Sequence, residues 1–185
     1  MIHGQGFYLA GGTALALQLK HRESNDFDFF SQTRDIEPIR AWLQHFSGLV
    51  VREEDPETVH AEISGVKVSF IGGYRYPLVK PTVVVDSVAT ADIIDIGLMK
   101  MLAVTHRATL RDYIDLAVIL RDRCSLKELI AKSTEKYGTT FNPMLALRAM
   151  VHFDDLDDEM PVLLDATLGR SWKDILRKAV KDSAV

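Results

Sequence analysis

The stretch Phe7–Ser31, FYLAGGTALALQLKHRESNDFDFFS, sets a paired-glycine turn between two apolar runs and follows it with alternating aspartate and phenylalanine. Phe7-Tyr8-Leu9-Ala10 reads as a short buried strand. Gly11-Gly12 comes next, and paired glycines let a backbone approach a ligand closely at angles other residues avoid. Thr13 is expected to cap the apolar helix that begins there, carried by Ala14, Leu15, Ala16, Leu17 and Leu19. Open N–H groups at a helix start attract phosphate. No Gly-Lys-Ser/Thr follows, so the turn is not a P-loop. If Asn25–Phe30 is a strand, Asp26 and Asp28 share one face and Phe27 and Phe29 the other. Two adjacent carboxylates repel unless a cation sits between them, and oxygen ligands suit magnesium, which commonly holds nucleotide phosphates as well. Read singly, the glycines are a tight turn and the aspartates two solvated residues at a strand edge. Together they predict a phosphate-binding turn beside a metal site.

The connection carries His21, Arg22 and Ser24. Arg22 is suited either to a triphosphate or to a carboxylate partner, and Ser24 to turning the chain into the strand. Farther on, Asp35–Phe46 has the spacing of an amphipathic helix, with Pro38 in its first turn. Leu49–Arg52, Thr58–Ile63, Val66–Ile71 and Val83–Val85 are strand-like. His60 reads as an exposed strand histidine, and Tyr74 and Tyr76 as loop aromatics that either pack on the core or stack a base. From Thr90 the composition turns helical. Helices are expected over Thr90–Arg107 with Thr90 as N-cap, Leu110–Arg123, Ser125–Tyr137, Pro143–His152 and Ser171–Lys181. The acidic run Asp154–Glu159 reads as a solvated loop.

With 185 residues the chain can hold one sizeable core plus a helical appendage. A net charge of −4 argues against a surface that coats nucleic acid, while leaving room for a local basic cleft. The single cysteine, Cys124, excludes an internal disulfide or a multi-cysteine zinc site. No apolar run reaches membrane-spanning length and the start lacks a basic-then-apolar leader, so no membrane partner and a cytoplasmic location are expected.

Gly-Gly, one helix, then Asp-x-Asp resembles the nucleotidyltransferase superfamily built like DNA polymerase beta. The wording GGTALAL, His21-Arg22-x-Ser24 and DFDFF is closer still to the AbiEii/AbiGii toxin-type nucleotidyltransferases of bacterial toxin–antitoxin and abortive-infection systems. A second block, Lys100-x-x-Ala103-x-x-x-Arg107 followed by Arg111-Asp112-x-x-Asp115-Leu116, resembles the same family. The resemblance covers roughly residues 7 to 120. It implies an α/β (α+β) fold, with a mixed sheet and packed helices over 1–89 and a helical region closing the cleft over 90–185. It implies Mg2+ (or Mn2+) on Asp26 and Asp28, phosphates on Gly11, Gly12, Thr13, Arg22, Ser24, Lys100 and Arg107, and a catalytic set of Asp26, Asp28 and Asp112. The other reading of the second block is a helix–helix salt-bridge network. The superfamily usually carries a third carboxylate on a strand such as Val66–Ile71, and here Ser69 stands in that place.

The function implied is transfer of a nucleotidyl group from a nucleoside triphosphate to an acceptor hydroxyl on RNA, such as a tRNA end, or on protein, with a cognate antitoxin as partner. Ser69 favours the alternative, a catalytically weakened member that binds nucleotides or a partner.

Overall fold

The computed structural model describes residues 6–107, 109–154, 156 and 159–183. They group into two compact units: residues up to Leu17 with Ser24–Asp92, and Gln18–Glu23 with the chain from Ile93 onward.

All strands lie in the first unit: β1 (Tyr8–Ala10), β2 (Phe27–Phe30), β3 (Leu49–Asp55), β4 (Thr58–Ile63), β5 (Val66–Ile71), β6 (Val83–Val85) and β7 (Val88–Thr90). They form one seven-stranded sheet in the order β3-β4-β5-β2-β1-β7-β6. The β1–β7 and β2–β5 pairs are parallel and the others antiparallel, so the sheet is mixed. Two tight hairpin turns set its register. Ser64 and Gly65 both have positive φ, 50° and 86°, as do Asp86 and Ser87 at 47° and 66°. That backbone twist matches the flanking strands in a two-residue hairpin.

The strands alternate as a half-covered sheet must. Phe29, Val59, Ala61, Val68 and Phe70 are buried on one face. Phe70 stacks on Phe29 at 4.9 Å and meets Phe7 and Trp42 edge-on. Trp42 belongs to α2 (Glu37–Leu43), which adds buried Ile39 and Leu43 to this core. The other face carries Asp28, Ser69 and His60. After β5, Gly72 passes so close to its neighbours that a Cβ there would lie 2.7 Å from the Thr33 carbonyl oxygen and 2.8 Å from the Ile36 side chain. Gly72→Ala is therefore expected to lower stability by about 1–3 kcal/mol, read as a lower urea midpoint with an unchanged denaturant slope.

α1 (Gly11–Leu19) starts at the glycines themselves. Thr13 therefore stands in the first turn, not at the cap expected from the sequence. Its hydroxyl serves a different purpose, described below. Thr90 also departs from expectation: it is the last residue of β7, with its hydroxyl on the Val88 carbonyl, and α3 begins at Ile93. The strand Val88–Thr90, with β-branched Val88 and Thr90, pairs with β6, and that pairing outweighs the helical composition that follows.

The second unit holds α3 (Ile93–Ala103), α4 (Leu110–Asp122), α5 (Leu126–Tyr137), α6 (Pro143–Ala149) and α7 (Leu168–Ser183). Ser125 and Asn142 cap α5 and α6 through backbone N–H groups of their first turns. α4 is the central helix, buried nearly all round and packed against α3 and α7. Tyr113 on α4 contacts Phe153 and Trp172, with Trp172 supplied by α7. Residues 18–23, the last two residues of α1 and the stretch after it, join this unit: Arg22 bridges Leu163, and Glu23 donates its N–H to the Val162 carbonyl. Residues 155, 157 and 158 of the acidic run lie outside the described residues. Burial, with help from the Glu128 charge, pushes the Cys124 thiol up to about 11. A thiol that is almost wholly protonated at neutral pH reacts slowly. Iodoacetamide labelling of Cys124 at pH 7 is expected to run at least ~10-fold slower than that of free cysteine.

Candidate functional site

In the first unit the sheet delivers Asp28 to the glycine turn, with Asp26 at the entry to β2. Asp28 sits on β2 directly opposite Ala10, the residue that ends β1 before Gly11. Gly11 has φ 70°, and a Cβ at that position would lie 3.4 Å from Asp28 Oδ2. The carboxylate therefore faces the turn, at ordinary contact distance from where a side chain at residue 11 would begin. Asp26 stands just ahead of β2, not within it, so strand alternation does not set its direction. A local latch holds it instead. The Asp26 carbonyl can only accept, so the Thr13 hydroxyl donates to it; the Thr13 oxygen is then left to accept from the Ser24 hydroxyl at 2.9 Å. Gly11, Gly12, Thr13, Ser24, Asp26 and Asp28 are thus one structure, built from the start of α1 and the entry to β2.

The Asp28 carboxylate beside the turn suits magnesium, which takes one or two protein carboxylates and fills its remaining positions with water and phosphate oxygens. Among the described residues no cluster of three or more His, Cys, Asp or Glu could hold a metal. A surface hollow of about 450 Å³ opens beside Asp26, lined by Ser24, Asn25, Phe27, Gly65, Val66 and Lys67 as well. That volume is in the range of small-molecule sites. Lys67, on β5, brings a cation to it.

The same sheet face aligns three further side chains. Asp28 pairs in register with Ser69, and Ser69 with His60. His60 Nδ1 lies 2.9 Å from Ser69 Oγ. This pairing could have been read from the sequence: a two-residue turn at Ser64-Gly65 fixes His60 opposite Ser69. The loop aromatics after β5 are used for packing, with Tyr74 edge-on to Phe30 and to Tyr76.

The second unit brings together the remaining candidates. Asp115, fully buried on α4, accepts from Arg22 Nε at 2.7 Å, Arg22 Nη2 at 2.9 Å and His21 Nε2 at 2.8 Å. Lys100 Nζ reaches Asp115 at 2.7 Å and Asp112 at 2.6 Å. Arg107 Nε meets the other Asp112 oxygen at 3.0 Å. Arg22 also donates to the Glu23 carbonyl, and it is buried. Arg107 is the outward member of the group, with its side chain 64% exposed. Burial alone would push the Asp115 carboxyl up; the Lys100 charge and the His21 and Arg22 hydrogen bonds win and hold it well below the carboxylate range. Lys100 shows the reverse balance: burial pulls it down, and Asp115 and Asp112 hold it above its ordinary value. His21 and Asp115 were not among the sequence candidates, although both stand in the matched motifs.

Residues 2–86 match the family model described as nucleotidyl transferase AbiEii toxin, type IV toxin–antitoxin system. An uncharacterised protein of Aquifex aeolicus is 33% identical over 160 residues, which is 83% of this chain and 77% of that protein. Among solved structures, MenT4, a nucleotidyltransferase toxin of Mycobacterium tuberculosis, superposes with a TM-score of 0.66 at 16% identity, over 97% of this chain and 76% of that one. JHP933 of Helicobacter pylori superposes with a TM-score of 0.58 at 17% identity, over 99% and 87%. At these identities the two structures carry the fold, and the sequence matches carry the kinship.

Proposed function

Since the chain belongs to the AbiEii family of nucleotidyltransferase toxins, we propose that it moves a nucleotidyl group from a nucleoside triphosphate to an acceptor hydroxyl with the help of Mg2+ or Mn2+. The observation that carries this reading is the Asp28 carboxylate lying against Gly11. It supports reading the turn and the carboxylates as a single site. Asp26 and Asp28 would hold the ion, which when bound supplies positive charge to phosphate oxygens. The backbone at Gly11 and Gly12 approaches the phosphates, and the Ser24–Thr13–Asp26 latch keeps the turn and the strand entry in register. Lys67 lines the hollow beside Asp26 and offers a further cation for the triphosphate.

In the second unit, Arg107 is the exposed cation proposed for triphosphate charge. Lys100 is proposed for the same task with much of its charge already engaged by Asp112 and Asp115. Both Asp112 oxygens are taken by cations, which supports a role in holding Lys100 and Arg107 more than a role as a base. Arg22, wrapped on Asp115, is proposed to hold the fold. RNA, such as a tRNA end, or protein is the proposed acceptor, with a toxin role and a cognate antitoxin by kinship. Such substrates meet in the cytoplasm; among the described residues no helix is long and apolar enough to cross a membrane.

Calorimetric titration with ATP, with and without magnesium, tests the reading. Binding is expected to need magnesium and to disappear in Asp26→Ala/Asp28→Ala. Binding that survives the double substitution would place the ion elsewhere. The second reading, a weakened member that binds nucleotides without transferring them, draws on Ser69. It predicts the same binding without label transfer.

A further inference from the structure

We propose that His60, acting through the Ser69 hydroxyl, accepts the proton of the attacking acceptor hydroxyl. The inference rests on the nucleotidyl-transfer reading above and adds to it the group that removes the proton. Asp28, Ser69 and His60 occupy one row across β2, β5 and β4, on the face away from the apolar core. Side chains paired in register on neighbouring strands lie about 4.5–5.5 Å apart at Cβ, so Ser69 is the first side chain beside Asp28 along the row. An acceptor hydroxyl that attacks a phosphorus held at Asp28 comes in next to Ser69. A serine hydroxyl is too weak a base to take that proton. The 2.9 Å bond to His60 Nδ1 changes this. With His60 neutral and Nε2 protonated, Nδ1 accepts from Ser69, and the Ser69 oxygen is left to accept from the incoming hydroxyl.

The step balances. The acceptor oxygen bonds to the α-phosphorus, and the bond from that phosphorus to the bridging oxygen of the β-phosphate breaks. Pyrophosphate leaves. The acceptor proton moves to Ser69 Oγ as the Ser69 proton moves to His60 Nδ1. Ser69 is then the residue that touches the reacting hydroxyl, and His60 is a positioning residue and proton store. The charged groups around His60 are Glu53, paired with it from β3; Glu62 on its own strand, ion-paired with Arg52; Lys67 on β5; and Asp28 beyond Ser69.

The test measures transfer of label from the four α-32P nucleoside triphosphates to bulk tRNA between pH 5.5 and 9. It compares wild type, His60→Gln, Ser69→Ala, Ser69→Asp and His60→Gln/Ser69→Asp, each checked for folding by thermal melt. Wild type is expected to gain rate with pH along a single imidazole-type limb. His60→Gln and Ser69→Ala are expected to lose about 10²-fold or more and to lose that limb. Ser69→Asp puts a carboxylate beside Asp28. It is expected to keep transfer, to lack the limb, and to become indifferent to His60→Gln. Wild-type rate and profile in His60→Gln overturn the proposal, as does undiminished sensitivity to His60→Gln in the Ser69→Asp background. A second readout does not need turnover. In 15N-histidine spectra, magnesium–ATP is expected to shift the His60 ring signals in wild type and not in Asp26→Ala/Asp28→Ala. If ATP binds by calorimetry and the His60 signals stay still, the proposal fails while the binding site stands. If ATP does not bind at all, the transfer reading fails first and the proposal with it.

Discussion

Asp115→Ala is expected to cost about 3–5 kcal/mol of folding free energy, because it strands buried cations without their counter-charge. Arg22, Lys100 and His21 all converge on this carboxylate, and each was brought out of water on condition that it be there. Asp115→Asn keeps the shape and loses the charge, and is expected to fall only slightly less. Urea unfolding checks both. The pH dependence separates this mechanism from a simple packing defect. A carboxyl held below its unfolded value of about 3.9 contributes its full stabilisation above that pH. The contribution is lost as pH falls below about 4, where the unfolded chain takes up a proton that the folded carboxylate resists. Wild type should therefore lose stability steeply on acidification, and Asp115→Asn should show a shallower acid limb. Lys100 has the opposite sign. Its raised value means that its contribution is present below about 10.4 and is lost as pH rises beyond it. Equal acid limbs in wild type and Asp115→Asn would remove Asp115 from the account.

Asp28→Asn is expected to abolish magnesium-dependent transfer, by at least ~10²–10³-fold, while leaving the melting temperature unchanged or slightly higher. Asp26 and Asp28 are close in sequence and carry like charge, and like charges held close disfavour the ionised pair. Neutralising one removes that like-charge repulsion. The asparagine keeps the side-chain volume against Gly11, so the turn should keep its shape. A structural carboxylate, such as Asp115, gives the opposite result: its loss appears first in stability. Differential scanning calorimetry of Asp28→Asn with and without magnesium makes the comparison direct. Magnesium should raise the melting temperature of wild type and not of the variant. A strongly destabilised Asp28→Asn would mean that the carboxylate is a fold element.

Much of the first unit was legible because its signals are local. The strand-like runs of β4 and β5 were visible in their composition, and the glycine pair marked the turn. The Ser64-Gly65 hairpin fixed its register, although counting along it was needed to see that His60 meets Ser69. Other features were hidden for physical reasons. The Thr13 latch depends on a carbonyl thirteen residues away in sequence, which no propensity records. Asp26 was assigned to a strand face, yet β2 begins one residue later, at Phe27. Thr90 looked like a helix cap because threonine suits both a cap and a strand, and pairing with β6 decided it. In α4 nothing local marks Asp112 and Asp115 as buried. They are buried because cations from α3 and from the segment before β2 come to meet them, and those meetings are long-range.

The small excursion of residues 18–23 also has a consequence in time. Arg22 and its partner Asp115 are separated by 93 positions, so at ordinary translation speeds the arginine is made about 5–20 s before its carboxylate. During that interval the nascent chain already holds the glycine turn and β2 on either side of a linker whose resting place has not been made. The linker can settle only when α4 arrives, so the first half of the gene product waits on the second.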